Sequence, residues 1–141
     1  MKISTRGRYG LRALVDLALN QDGKAIPLRK IAERENISEQ YLEQLFASLR
    51  KAGVVSSVRG AHGGYLLNRD PEDITAGDVI RILEGPISPV NCVMDDYNCK
   101  QLENCVTHEL WDLLSEQIGE VLDSYTLADL KEKAEKIKEE N

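Results

Sequence analysis

Cys92, Cys99, Cys105 and His108 are the residues of this chain best suited to chemistry. They include every cysteine in the sequence and fall within seventeen consecutive positions. Six residues separate the first two thiols, five the next two, and two separate Cys105 from His108. Few apolar side chains lie between them, so the stretch cannot build a core, whereas three thiolates and an imidazole can close around a metal centre. An odd number of cysteines without an export signal argues against a disulfide framework. An iron-sulfur cluster tolerates loose spacing, and an imidazole in place of a thiolate raises its reduction potential. Zinc suits a site of three cysteines and a histidine, but usually with a tight Cys-x-x-Cys knuckle that is absent here. A thiol switch needs only one or two cysteines. Spacing therefore favours a cluster and leaves zinc and a thiol switch open. His108 is the least secure ligand, because a histidine in the first turn of a helix can simply be solvated. Neither His62 nor His108 has a serine or carboxylate at a spacing that supports hydrolysis, so no enzyme activity is expected.

Such a loop needs elements to position it. At 141 residues the chain can form one compact domain plus an extension. Aromatics are only 5% of the sequence, which suits a mostly helical core of Leu, Ile, Val and Ala. No apolar run approaches the roughly 20 residues that span a bilayer, and Met1 to Arg6 lack the apolar centre of a signal peptide. No membrane association and a cytoplasmic location are expected. The net charge of −6 is unevenly spread: residues 1–70 carry +5 and residues 71–141 carry −11. A basic front half is what a localised phosphate-binding face requires.

Residues 5–20 have the apolar spacing of an amphipathic helix, with Leu11, Leu14, Val15, Ala18 and Leu19 on one side. Arg6, Arg8 and Arg12 lie near its start, where cations oppose the helix dipole, so an external anion, phosphate, is expected there. Pro27 opens a short second helix that ends near Asn36. Ser38 has the side chain of an N-cap, with Ile37 and Leu42 able to staple the turn. The third helix buries Leu42, Leu45, Phe46 and Leu49, stops at Gly53, and shows Glu39, Gln40, Glu43, Gln44 and Ala47 outward. This is the pattern of a helix-turn-helix whose second helix enters the major groove. Gln44 carries an amide suited to a base edge, and Glu43 can accept from cytosine or repel a disfavoured site.

Val54 to Val58 and Tyr65 to Leu67 read as two strands around the glycine-rich tip Arg59-Gly-Ala-His-Gly-Gly64. Gly60, Gly63 and Gly64 let backbone approach DNA, and Arg59 can enter a narrow minor groove. Thr75 and Asp78 form a capping box before Val79, Ile82 and Leu83. Residues 86–106, with the cysteines, read as a loop longer than a compact domain leaves without a functional reason. A helix follows from Thr107 to about Leu122. It is too apolar to stand alone, and pairing with the same helix of a second subunit is favoured over packing back on its own domain. Thr126 and Asp129 cap a last helix whose Lys and Glu residues form a solvated face. The expected fold is mainly α with a small β-wing. A winged helix-turn-helix domain (1–85) is followed by a cysteine-containing loop (86–106), then a long dimerisation helix and a C-terminal helix (107–141).

Ser4-Thr-Arg-Gly-Arg-Tyr9, Tyr41-Leu-Glu-Gln-Leu-Phe46, Leu49-Arg-Lys-Ala-Gly53, Val58-Arg-Gly60 with Gly63-Gly-Tyr-Leu66, and the three cysteines followed by Thr107-His-Glu-Leu-Trp111 resemble the iron-sulfur cluster regulator (IscR) family. The match reaches to about Leu130, and only the cysteine loop with Thr107 and His108 makes it specific. The resemblance implies a homodimer joined through the long helix, a [2Fe-2S] cluster in each subunit, and control, mainly repression, of iron-sulfur cluster assembly genes. It implies Cys92, Cys99, Cys105 and His108 as ligands. It also implies that a double-stranded operator is read by Arg6, Arg8, Ser38, Gln40, Tyr41, Glu43, Gln44, Arg59, Gly60, Gly63 and Gly64. In that family the cluster-bound and cluster-free forms prefer different operators, and Glu43 matches the residue involved. This chain has one more residue between its first two cysteines than the family pattern, and relatives can recruit another fourth ligand. Its wing tip carries Ala61 and His62 where the family is richer in glycine and proline.

Overall fold

Residues 2–93 and 104–141 are described in the structure, a computed structural model. Six helices and one two-stranded antiparallel sheet follow in the order α1 (Thr5–Asn20), α2 (Leu28–Glu35), α3 (Glu39–Lys51), β1 (Val55–Val58), β2 (Gly64–Leu67), α4 (Ala76–Glu84), α5 (His108–Asp123) and α6 (Leu127–Glu140). The expected mainly helical fold with a small wing is the one observed. Short 3-10 turns lie at Pro71–Asp73 and Asn91–Val93, the second inside the stretch expected to be loop. No helix among the described residues is long and apolar enough to cross a membrane.

The core sits where α1, α2, α3, α4 and the hairpin converge, around Leu14, Leu17, Ile31, Leu42, Leu45, Phe46, Leu49, Val54 and Val79. Local signals set the ends of the helices. Ser4 caps α1, accepting from the Arg6 N–H at 3.2 Å, and Ser38 caps α3, accepting from the Tyr41 N–H at 3.1 Å. Asn36 ends α2 in the left-handed region at φ 54°, a conformation that its short polar side chain tolerates. Gly7 and Gly10 let α1 lie close on α4, since a Cβ at either would run into Ile80, Leu83 or Glu84.

Long-range contacts complete the domain. Ile26 pairs with Tyr65 through reciprocal backbone hydrogen bonds of 2.9 Å, a third rung beside the wing. The Asp16 carboxylate, 4% exposed, accepts from Arg34 Nε at 2.9 Å and Nη2 at 2.7 Å, tying α1 to α2. The Phe46 ring meets Tyr65 edge-on at 5.0 Å, joining α3 to the wing.

Leu127, the first residue of α6, is fully buried in this core. Its N–H donates to the Ile74 carbonyl at 2.8 Å, and the Ala76 N–H donates to the Tyr125 carbonyl at 2.8 Å. The starts of α4 and α6 are thereby bridged, each closed by a capping box, Thr75 with Asp78 and Thr126 with Asp129. From there α6 packs along α1 with one face and leaves its charged face to solvent. Its outer face carries the expected pairs, Lys131 with Glu135 at 3.9 Å and Lys136 with Glu132 at 3.4 Å. α5 differs from the rest: none of its sixteen residues is buried. It rests on α4 through the Arg81–Asp123 pair, two contacts of 2.8 Å, and on the segment after α4 through Ser115 Oγ donating to the Ile87 carbonyl at 2.8 Å.

Replacing Phe46 by Ala removes the largest buried side chain beneath the recognition helix. It should cost about 3–5 kcal/mol in urea unfolding, and a loss under about 1 kcal/mol would contradict this core.

Candidate functional site

The elements expected to read DNA, α3 and the wing, stand on one frame. α3 buries Leu42, Leu45, Phe46 and Leu49 and exposes Gln40, Glu43, Gln44 and Ala47, as its periodicity requires. Ser38, at its exposed start, spends its hydroxyl on the cap. Tyr41 is half-buried: its ring lies edge-on to Tyr9 with centroids 6.2 Å apart, and its hydroxyl is 3.0 Å from Thr5 Oγ1. Tyr41 therefore fixes α3 against α1 while keeping its hydroxyl at the surface. Thr5 and Arg50 are exposed polar neighbours of this face that the sequence reading did not single out.

At the wing, Arg59 and Gly60 are exposed, and Gly60 takes φ 107°, a value that favours glycine. The Gly63 N–H donates to the Gly60 carbonyl at 3.0 Å and closes the tip. Gly64 has a different duty, since a Cβ there would run into the Ile26 and Pro27 backbone. Its lack of a side chain lets the strand pair with Ile26, so Gly64 shapes the wing as well as standing beside its tip.

The start of α1 corrects one expectation. An external anion is expected beside Arg6, Arg8 and Arg12, but the chain itself supplies one to the helix start and one to Arg12, while Arg8 has no carboxylate partner among the described residues. Glu84 Oε1 accepts from the Ser4 N–H at 3.0 Å, from the Gly7 N–H at 2.9 Å and from the Ser4 hydroxyl. Partial burial pushes the Glu84 carboxyl up, but these bonds and the charge of Arg6 together outweigh it, so it titrates below its ordinary value. Arg6 Nε donates to the Leu83 carbonyl at 3.0 Å, and Arg12 pairs with Glu35 at 3.3 Å. Arg8 is exposed, 6.0 Å from the Tyr9 ring centre. A helix start is satisfied equally well by a carboxylate from a distant helix as by phosphate, and sequence order cannot reveal which.

The cysteine loop is described in part. Cys92 is half-buried in the Asn91–Val93 turn, Cys105 is exposed, and Cys99 lies outside the described residues. Cys105 Sγ is 3.4 Å from Thr107 Oγ1. Hydrogen bonds from the Thr107 hydroxyl and N–H, and from the His108 N–H, hold its thiol below the ordinary cysteine value. His108 opens α5, and its Nδ1 is buried without a hydrogen-bond partner among the described residues. An unsatisfied buried imidazole nitrogen costs about 1–3 kcal/mol, and coordination to a metal would satisfy it. Thiolate-favouring surroundings at Cys105 and a free imidazole nitrogen three residues on suit the donor set of a cluster or zinc. Among the described residues, no three His, Cys, Asp or Glu side chains are gathered tightly enough to hold one ion. Cys92, Cys105 and His108 are therefore not assembled into a site by this fold alone.

Comparison with known proteins agrees with this architecture. The CymR helix-turn-helix transcriptional regulator of Bacillus subtilis is 51% identical over 92% of this chain and 89% of its own length. The solved structure of that protein, described as the global cysteine regulator, superposes with a TM-score of 0.77 at 49% identity, covering 94% of this chain and 98% of the other. The IscR structure of T. potens gives a TM-score of 0.78 at 47% identity, over 97% of this chain and 90% of the other. IscR of Klebsiella pneumoniae is 43% identical over 92% of this chain and 79% of its own. These relatives are transcriptional regulators, not enzymes, and the resemblance to IscR extends equally to CymR.

Two outcomes follow for this frame. Gly64→Ala should destabilise the wing and weaken DNA binding, measured as a lower unfolding midpoint together with a lower affinity. A wild-type wing in that variant would contradict the close approach to Ile26. Because the Glu84 pKa is depressed by folding, its contribution is present above the unfolded carboxylate value and lost as pH falls through the folded one. The stability gap between wild type and Glu84→Gln should shrink over that acid window, and a gap unchanged by acid would contradict the assignment.

The model of the Rrf2 family, iron-dependent transcriptional regulators, matches residues 3–133, and with a winged helix-turn-helix on every element that the sequence outlined, the chain belongs to that family.

Proposed function

We propose that this regulator is a homodimeric DNA-binding protein, mainly a repressor, that senses iron-sulfur cluster status and controls cluster-assembly genes. Cys92, Cys99, Cys105 and His108 would hold a [2Fe-2S] cluster, Cys105 through a thiol whose hydrogen bonds favour its ionised form and His108 through a nitrogen that has no hydrogen-bond partner among the described residues. The observation that carries this reading is the buried His108 Nδ1, without a hydrogen-bond partner among the described residues, three residues after a thiol of lowered pKa at the start of α5. Bound there, the cluster supplies a redox-active centre whose presence depends on iron and sulfide.

The chain's own residues do the rest. Closing the loop draws the Cys92 turn, which packs on α5, toward Cys105 and His108 at the start of that helix. The Arg81–Asp123 pair carries a shift of α5 to α4, and α4 packs against both α1 and α3. Gln40, Gln44 and Glu43 are on the exposed side of α3, so a small tilt of that helix changes which base edges they meet. Arg59, with Gly60, Gly63 and Gly64, places a cation and bare backbone against the minor groove. Arg6, Arg8, Ser38 and Tyr41 position the helix on the phosphates, Arg6 with the guanidinium nitrogens that Leu83 does not occupy.

One observation favours a second reading. Cys105 is exposed with a lowered thiol pKa, and the similar CymR is described as a cysteine regulator. A thiol sensor would use that side chain alone and need no metal.

Anaerobically purified protein should be coloured, with about two irons and two sulfides per chain, and His108→Ala should alter the visible spectrum. Colourless protein with stoichiometric zinc would replace the cluster by zinc, and metal-free protein with one rapidly alkylated thiol would favour the thiol sensor. Exchanging Arg59 for Ala should weaken operator binding about tenfold and flatten its salt dependence; unchanged affinity would reject the wing contact.

A further inference from the structure

Two layers of side chains join α3 to the wing. The inner layer is aromatic, Phe46 edge-on to Tyr65 at 5.0 Å. The outer layer is polar. Arg50 lies one turn beyond Phe46 on α3, and Ser57 is the cross-strand partner of Tyr65, so the two side chains stand on the sides of helix and hairpin that face each other. Arg50 Nη1 is 3.5 Å from Ser57 Oγ, and both residues are exposed.

The backbone under this pair is fixed. The Arg50 carbonyl accepts from the Gly53 N–H at 3.0 Å, with Gly53 in the left-handed region at φ 84°. Asn68, just past β2, donates from its N–H to the Val54 carbonyl at 2.9 Å and from Nδ2 to the Gly53 carbonyl at 3.2 Å. The end of α3 and the base of the wing are thereby tied through one turn.

Arg50 is a cation that the fold leaves unspent. Its contact with Ser57 is at the long limit of a hydrogen bond and leaves the other guanidinium N–H groups free. Arg34 is engaged by Asp16, Arg81 by Asp123 and Arg69 by the Asp73 carbonyl, whereas Arg50 has no carboxylate partner among the described residues. Glu43, the nearest acid on that side of α3, is a full two turns back, about 10 Å along the axis. A cation in the last turn also suits the helix dipole, but that role needs neither Ser57 nor a place beside the wing. Lys51, exposed in the same turn, continues the Gln44 and Ala47 face instead.

Position gives the pair its ligand. Arg50 stands one turn past Ala47 on the exposed side of α3, about 4.5 Å along the axis, and reaches toward the wing. Ser57 precedes Arg59 by roughly 7 Å along the hairpin. With α3 in a major groove and Arg59 in the neighbouring minor groove, the sugar-phosphate strand that separates the grooves crosses the seam between the two elements, where Arg50 and Ser57 lie. A planar guanidinium takes a phosphate through parallel N–H bonds, and a hydroxyl beside it can donate another.

We infer that Arg50 and Ser57 form a phosphate site that grips the DNA strand between the two grooves and sets how far the wing enters the second. This rests on the placement of α3 and the wing in the proposed function, and adds to it a contact that reads no base.

Salt dependence tests it. The full chain, purified anaerobically, is titrated with the duplex that it selects from a random pool and with an unrelated duplex of equal length, over a series of salt concentrations. Thermal melting confirms the fold of each variant. Arg50→Ala should weaken both complexes alike, about tenfold, and lower the slope of log affinity against log salt by about one. Arg50→Lys should keep the slope, because the charge remains, and recover only part of the affinity, because the paired N–H geometry is gone. Ser57→Ala should weaken binding about threefold with the slope unchanged. A slope that Arg50→Ala leaves unmoved would overturn the inference even if affinity fell, since a dipole or packing role acts through stability. Loss confined to the selected duplex would overturn it too, because that marks base reading. Arg59→Ala in the same titrations separates the two levels. If it weakens binding and Arg50→Ala does not, the phosphate site fails and the wing placement stands; if neither variant changes binding, the placement itself fails.

Discussion

The burial of Leu127 against Ile74 is the constraint on which the rest depends. It puts the first residue of the last helix into the core of a domain that otherwise ends with α4. Everything between Gly85 and Tyr125, the cysteines and α5 included, becomes an excursion pinned at both ends to the same place. The bridge costs little local strain, because each helix start carries its own capping box and the two starts exchange backbone hydrogen bonds. A pinned excursion cannot drift from the reader, so a change within it must be felt either by α4 through Arg81 and Asp123 or by whatever covers α5.

The excursion is otherwise under-determined by its own chain. A helix with four large apolar side chains exposed and none buried loses most of the stabilisation that burial would give, roughly 1.5–3 kcal/mol for each fully covered side chain. His108 adds, at the same end, a buried nitrogen without a hydrogen-bond partner among the described residues. Both deficits lie outside the winged-helix core, which is closely packed with its polar groups paired, as Asp16 with Arg34 and Glu84 with Ser4 and Gly7 illustrate. Division of this kind, a satisfied reader and an unsatisfied extension, is what a regulator needs if an added group or a second subunit is to shift its state.

The features legible in the sequence were the local ones. Ser38, Thr75 with Asp78, and Thr126 with Asp129 announce helix starts because an N-cap and its partner are three residues apart. The inward face of α3 was legible from periodicity, and the wing from its glycine-rich tip, whereas the spacing in α1 marked the half-buried Leu11, Val15 and Leu19 beside the buried Leu14 and Ala18 and passed over the buried Ala13 and Leu17. What sequence could not give were contacts made at long range. Glu84 reaches Ser4 from eighty residues away, Ile26 joins the wing, and Arg12 is claimed by Glu35. Each turned a residue that looked available into one already engaged, or supplied an anion that had seemed to be missing. At the cysteine loop, residue types pointed to ligand chemistry, but which side chains meet depends on closure of the loop, which spacing does not encode. Cys99 lies outside the described residues.

In the proposed function, the state of the cysteine loop is read out by α3. Its most direct measurement is the affinity of the same preparation for two classes of operator, before and after the cluster is removed anaerobically, at one fixed salt concentration. The ratio of the two affinities should change about tenfold or more on removal, and Glu43→Ala should flatten this change. Equal ratios for the loaded and stripped protein would contradict it.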